Sequence, residues 1–355
     1  MEVRNGIATA PAAAPEPVAG LPMADRIREL TVRYGVIAIT IFLLIFFLAS
    51  EETFRRSTTL LSVLKYASVI AIGGLGVTTA MVVGGIDLSI GGVAGMAVTI
   101  SAMTMVIYDQ VGFVAVGAVL IAGALVGLAN AALIVRLRIP DMLATLSVMF
   151  VVQGLKLVFV SGQSVSSGMP LPDGTYAVGR FTTDFLAIDN GFVGPVPVPV
   201  LILLVITGVM WVFLTRTRWG RILYAIGANP EAARLAGISV SRYRALAYVI
   251  AGLLASVAGL ILSSRIGQGD ISAGNSLLLD SVAVALVGMS VMGLNLPNAW
   301  GTTLGAIMLG ILITGLTIAG VPYYAQDVVK GAVLVVALVF SFTLSRKRAR
   351  YVSAV

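Results

Sequence analysis

Apolar residues fall along this chain in ten long runs, at Tyr34 to Ala49, Leu60 to Val83, Leu88 to Ile107, Phe113 to Val135, Met142 to Val160, Val198 to Leu214, Ala245 to Leu262, Leu277 to Gly293, Ala299 to Ile318 and Val328 to Leu344. Each is close to the roughly 20 residues that one helix needs to cross a bilayer. The pattern predicts an all-α polytopic membrane protein of about ten transmembrane helices. Two connections are longer than a tight turn: 161–197, dense in Gly, Pro, Ser and Asp, and 215–244. The organisation expected is a disordered tail over 1–24, a membrane domain over 25–345 and a basic tail over 346–355. No internal sequence repeat is evident. Five spans separate the second helix from the seventh, so a two-half duplication would be inverted.

Composition agrees, with 58% hydrophobic residues and only 11% charged among 355, against about 25% charged in soluble domains. Charge then gives the topology. Lys and Arg collect in cytoplasmic loops. With the amino terminus inside and the runs alternating, sixteen of the 23 basic residues fall on one side: Arg4, Arg26, Arg28, Arg33, Arg136, Arg138, Arg216, Arg218, Arg221, Arg234, Arg242, Arg244, Arg346, Lys347, Arg348 and Arg350. Arg55, Arg56, Lys65, Lys156, Arg180, Arg265 and Lys330 are the exceptions. An even number of spans follows, with both termini cytoplasmic. The net charge of +7 therefore marks membrane orientation, and no nucleic-acid partner is expected.

Several chemistries are excluded outright. The chain has no His and no Cys, so thiol nucleophiles, imidazole bases and the usual zinc sites are ruled out. No Lys closes a GxxxxGK[ST] phosphate loop, and Gly288 to Gly293 is one residue too long for GxSxG. The chain is expected to bind no cofactor and to be no enzyme.

Three polar stretches are candidate machinery. Gly84-Gly85-Ile86-Asp87-Leu88-Ser89-Ile90-Gly91-Gly92 breaks the second helix and restarts a third. A break at membrane depth is tolerated only inside protein or beside a watery cavity. Asp87 reads either as an N-cap or as a polar group on a solute path. Gly227-Ala228-Asn229-Pro230-Glu231-Ala232-Ala233-Arg234-Leu235-Ala236-Gly237 holds every part of a short capped helix: Asn at N-cap, Pro at N1, Glu in the first turn and Gly at the stop. Too short to stand alone in water, it needs a surface to dock on, either its own bundle or a partner. Arg265 to Ser276 is polar and glycine-rich, and is expected to be a plain outer loop in preference to a re-entrant one. Within the spans, Gln153 and Asn130 should face the bundle, Lys156 should snorkel outward, and Gly123 with Gly127 and Gly301 with Gly305 should serve helix packing.

GGIDLSIGG together with AIGANPEAARLAGI resembles the ribose-type, carbohydrate-uptake permeases of bacterial ATP-binding-cassette importers, within the branched-chain amino acid and ribose permease superfamily. The resemblance runs from about Leu60 to Leu344 and extends to Thr217-Arg218-Trp219-Gly220-Arg221 and to Gly301 to Ala306. It departs at Gly293 to Ala299, where the family has a glycine-rich turn. The resemblance implies a multi-pass protein of the bacterial inner membrane with an importer bundle and a cytoplasmic coupling helix. It implies a second permease copy or homologue, a periplasmic sugar-binding protein and a cytoplasmic ATPase, often tandem, that holds ATP and Mg. On this reading Gly84, Gly85, Asp87, Ser89, Gln153 and Asn275 are solute-path or gating candidates. Gly227, Asn229, Pro230, Glu231, Ala232, Ala233, Arg234 and Gly237 are ATPase-coupling candidates. An ion-coupled secondary carrier is the competing reading, for which Asp87 is the only deep acid that suits.

Overall fold

The computed structural model describes residues 23–171, 174–291 and 296–336, with side chains from residue 34 onward. The expected amino-terminal tail lies outside these residues except for Met23 and Ala24, where the first helix already runs. The basic tail at 346–355, the end of the tenth run and much of the Gly293 to Ala299 turn also lie outside.

The helices are α1 (Met23–Ser50), α2 (Ser57–Val82), α3 (Ile90–Ala102), α4 (Gly112–Ala131), α5 (Asp141–Phe159), α6 (Thr183–Asn190), α7 (Val198–Arg216), α8 (Arg218–Ala228), α9 (Pro230–Leu235), α10 (Val240–Ile266), α11 (Asn275–Ser290), α12 (Ala299–Ile318) and α13 (323–336). A π turn extends α3 to Ile107 and another extends α4 to Arg136. Strands β1 (Phe192–Val193) and β2 (Val196–Pro197) form a small antiparallel hairpin. Among the described residues, seven helices are long and apolar enough to cross a membrane; Tyr34–Ser50 and Asn275–Ser290 are shorter apolar helices. The protein is a multi-pass membrane protein.

The packing is a duplication that the residues themselves do not display. Spans α2 and α10 run antiparallel against each other, with Lys65 meeting Arg265 at one end and Gly85 meeting Tyr248 at the other. The contact of α10 with α4 is matched by that of α2 with α12, α10 with α3 by α2 with α11, and α3 with α4 by α11 with α12. Each pair maps onto its counterpart by a shift of five spans, an odd number, so the halves have opposite direction. Small residues make the seams. A Cβ on Gly123 would lie 2.6 Å from the Gly252 carbonyl oxygen, and one on Gly301 would strike the Gly288 carbonyl. Both glycine pairs therefore serve close helix approach, as their spacing predicts.

Connections gather at two ends. The 83–89 turn, the 136–141 turn and the 215–244 segment meet at one, here termed the basic end, as Gly84 against Gly227 and Asp141 against Arg244 demonstrate. At the opposite end the 161–197 segment folds into α6 and the hairpin. The buried Asp189 of α6 accepts from Lys65 at 2.9 Å and Arg265 at 3.0 Å, and its N–H donates to Ser264.

This accounts for most of the basic residues that broke the charge rule. Lys65 and Arg265 hold Asp189, Arg55 donates to the Leu48 and Ala49 carbonyls at the end of α1, and Lys330 pairs with Asp280 and Asp327. Lys156 corrects an expectation. It does not snorkel: it is 3% exposed, and its Nζ donates to the Ala273 carbonyl at 3.3 Å.

Replacing Asp189 with Asn should destabilise the protein by about 1.5–3 kcal/mol, the worth of hydrogen bonds to a charged group. A lower melting temperature in detergent than for the exposed Asp184→Asn is the expected result.

Candidate functional site

Two helix breaks supply the candidate machinery. At the basic end, α2 closes with Gly84 in left-handed geometry at φ +82°. The Gly84 N–H donates to the Met81 carbonyl and the Gly85 N–H to the Ala80 carbonyl, both at 3.0 Å. This is the Schellman stop that lets a helix end while its last carbonyls stay paired. Gly85 is needed for a different reason, since a Cβ there would collide with the Asp141 carboxylate and the Tyr248 hydroxyl.

The chain then turns through Asp87. The carboxylate Oδ1 accepts the Ser89 N–H at 2.8 Å and the Ser89 hydroxyl at 2.6 Å. Asn130 of α4 donates through Nδ2 to Ser89 Oγ at 2.8 Å, and the Leu88 N–H donates to Thr145 of α5 at 3.1 Å. Ser89 stands at the N-cap of α3 and makes no side-chain cap bond. Asp87 therefore does not cap α3 in the expected way; it holds the turn before it. Asp87, Ser89 and Asn130 are fully buried, so none of the three faces an open path in this conformation.

A second polar cluster abuts this turn. Asp141, first residue of α5, accepts Arg244 Nη2 at 2.7 Å on each of its oxygens, and also accepts the Tyr248 hydroxyl. Sequence reasoning missed this group. Arg244 was visible only as a marker of sidedness, and Tyr248 only as part of an apolar run; their shared partner lies more than 100 residues away.

The 215–244 segment is more structured than a capped helix in a loop. α8 precedes it, capped by the Thr217 hydroxyl, which accepts the Gly220 N–H at 3.2 Å. The short helix α9 forms as its residues predict: Asn229 Oδ1 accepts the N–H groups of Glu231 at 3.1 Å and Ala232 at 3.0 Å. Gly237 at φ +81° ends it, with the Gly237 N–H on Arg234 and the Ile238 N–H on Ala233. Ala233 is its buried anchor. Pro230, Glu231, Ala232, Arg234 and Leu235 are exposed, Leu235 by 84%. Gly227 brings this segment to the first break, for a Cβ there would strike the Val82 carbonyl oxygen. Tyr224 donates to the Pro297 carbonyl at 2.5 Å. Between them an open cleft of about 550 Å³ is lined by Met81, Gly85, Tyr224, Gly227, Met289 and Pro297 among others.

The second break corrects the plain-loop expectation for Arg265 to Ser276. Gly269 lies against Ala102 near the far end of α3, whereas Gly274 at φ +87° lies against Gly91 and Gly95 near its start. At 1.5 Å per residue, the chain descends about 10–16 Å along α3 before α11 begins. The segment is re-entrant, and Lys156 secures it at Ala273. The same bond sets the re-entrant segment beside α5, one turn beyond Gln153. Asn275 is exposed and Gln153 half-buried. The four gating candidates of the first break and these two therefore lie at separate places.

With this geometry established, comparison with known proteins is informative. Residues 59–338 match the family described as branched-chain amino acid transport system, permease component. The chain belongs to this family. The ribose import permease protein RbsC of Haemophilus influenzae is 30% identical over 90% of this chain and 96% of its own length. The autoinducer 2 import system permease protein LsrD of Klebsiella pneumoniae is 32% identical over 75% of this chain and 78% of its own. The xylose transport system permease protein XylH of Escherichia coli is 28% identical over 85% and 89%. No solved structure matches the chain.

Gly227→Val should abolish the close approach to Val82. The expected outcome is loss of monodisperse protein on size exclusion, with Gly117→Val, where a Cβ meets open space, unaffected.

Proposed function

We propose that this chain is the permease subunit of an ATP-binding-cassette importer that translocates a monosaccharide or sugar-like solute, such as ribose, another pentose, a hexose or a polyol. The family match over residues 59–338 carries this reading, and the relatives named for ribose, xylose and autoinducer 2 import support the sugar-like class. In this reading ten spans cross the bacterial inner membrane, and the basic end and both termini face the cytoplasm. The chain works as a dimer with a second copy or a homologue. A periplasmic binding protein delivers the solute at the end that carries the 161–197 segment. Separate ATPase subunits, with tandem ATP-binding domains and their Mg, supply the energy, and this chain performs no bond chemistry of its own.

The exposed surface of α9 supports a coupling role. A six-residue helix anchored through Ala233, with Leu235 turned to solvent, presents an apolar contact that an ATPase cleft would cover. Motion of that cleft would pass through the rigid Asn229 and Gly237 ends of α9 into α8 and α10, and by the Gly227 contact into the break at Gly84. On the same reading Gln153, Asn275 and the re-entrant segment line the solute path at mid-depth.

The Glu231–Arg234 pair is about 65% exposed on both sides, and such pairs contribute about 0–1 kcal/mol. Glu231→Ala should therefore leave insertion and melting temperature unchanged while it lowers solute uptake at least tenfold relative to ATP hydrolysis. Unchanged uptake in Glu231→Ala and Leu235→Ala proteoliposomes would remove the coupling role. Uptake driven by an ion gradient without ATP would replace the importer with a secondary carrier.

A further inference from the structure

Two carboxyl groups flank the 83–89 turn, and their surroundings differ in one decisive respect. Asp141 has the Arg244 guanidinium on both oxygens and keeps part of its side chain in contact with solvent. Asp87 is 0% exposed and, among the described residues, pairs with no cation. An isolated carboxylate in that setting carries a large desolvation cost. The donors on Asp87 are the Ser89 N–H and hydroxyl, both on Oδ1.

Hydrogen-bond accounting then identifies the missing atom. Ser89 Oγ spends its proton on Asp87 Oδ1, and Asn130 Nδ2 donates to Ser89 Oγ. Two buried acceptors remain without partners, Asp87 Oδ2 and Asn130 Oδ1. Neither can serve the other as both stand, since carboxylate and amide oxygens only accept. A hydrogen on Oδ2 would give Asn130 Oδ1 a donor and Oδ2 a partner.

We propose that Asp87 is a proton-binding site: in its neutral form Oδ2–H donates to Asn130 Oδ1 and closes a ring in which Asn130 donates to Ser89 and Ser89 donates back to Oδ1. The ring ties the break after α2 to α4 and removes the charge that the turn would otherwise bury. Burial raises the Asp87 carboxyl from 3.8 to about 6, with the two Ser89 donors opposing the rise. The charged and titratable groups facing the turn are Asp141 of α5, Tyr224 of α8 and Arg244 and Tyr248 of α10; α3 and α4 present none. Asp141 and Arg244 neutralise each other. A carboxyl raised above its unfolded value favours the fold at low pH, and that preference is lost as pH rises from about 4 through about 6.

The test uses the purified full-length chain. An infrared pH titration should show a protonated carboxyl C=O band at about pH 5 that disappears with a midpoint near 6 and is absent from Asp87→Asn. Asp87→Asn, whose amide can make the same donation, should melt at nearly one temperature at about pH 5 and pH 8, whereas the wild type melts lower at the higher pH. Should Asp87→Asn fail to fold, Asn130→Leu removes the acceptor and should move the midpoint downward. A band that titrates near 4, or a midpoint unmoved by Asn130→Leu, overturns the proposal. So does a wild-type melting temperature that depends on Na⁺ or K⁺, which would make the site a cation site. A permanent carboxylate held by an internal water would give no acid band, and would overturn it equally.

Discussion

Backbone that leaves helical geometry inside an apolar bundle must find partners for every N–H and C=O it frees, because neither lipid nor packed side chains will supply them. Both breaks in this protein meet much of that demand. At the first, Gly84 and Gly85 return their N–H groups to the last carbonyls of α2, Thr145 takes up the Leu88 N–H and Asp87 the Ser89 N–H. At the second, the Lys156 ammonium serves the Ala273 carbonyl, and the Asp270 carboxylate accepts the Ser272 N–H. Polar residues at these depths are thus present first as partners for broken backbone. Any transport role is built on a turn that they have already made rigid.

The same economy governs the charges. Asp189, Asp280 and Asp141 each face at least one cation. Three of the seven basic residues that violate the sidedness rule, Lys65, Arg265 and Lys330, are the other halves of such contacts. A sidedness rule describes residues in water-facing loops, whereas Lys65, Lys156, Arg265 and Lys330 answer to buried oxygens. Asp87 stands apart because its neighbours offer hydrogen-bond donors and no positive charge, which is why protonation is the neutral solution left to it.

What could be read from the residues divides along the same line. Long apolar runs and local capping chemistry are contained in consecutive positions, so the seven long apolar helices and the details of Asn229, Pro230 and Gly237 were legible, whereas α6 and α8 were not. Contacts between distant segments were not. Lys156 reads as a snorkelling residue because Ala273 is 117 positions away, and Arg244 reads as a loop charge because Asp141 is 103 away. The re-entrant course of 269–274 is hidden for the same reason: glycines in a polar stretch suit an exposed loop as well as a buried descent, and only contact with Gly91 and Gly95 distinguishes them. The inverted duplication survives in the packing although it has faded from the residues, since close approach requires only small side chains at the seams, and many sequences satisfy that.

For an importer the consequence concerns where movement can and cannot occur. The Gly84 turn is clasped by Gly227 on one side and by Asp141, Arg244 and Tyr248 on the other. Backbone in such close contact does not deform gradually. A push on α9 would therefore displace α8, the turn and the start of α5 together and leave the turn's internal bonds intact. The adjustable element must then lie elsewhere. The re-entrant segment is clasped as closely, by Gly91 and Gly95 of α3, by paired bonds between Val165 and Gly269, and by Lys156 at Ala273. On this argument both breaks would carry motion as rigid pieces, as two halves of common design would, and adjustment would fall between the helices that hold them.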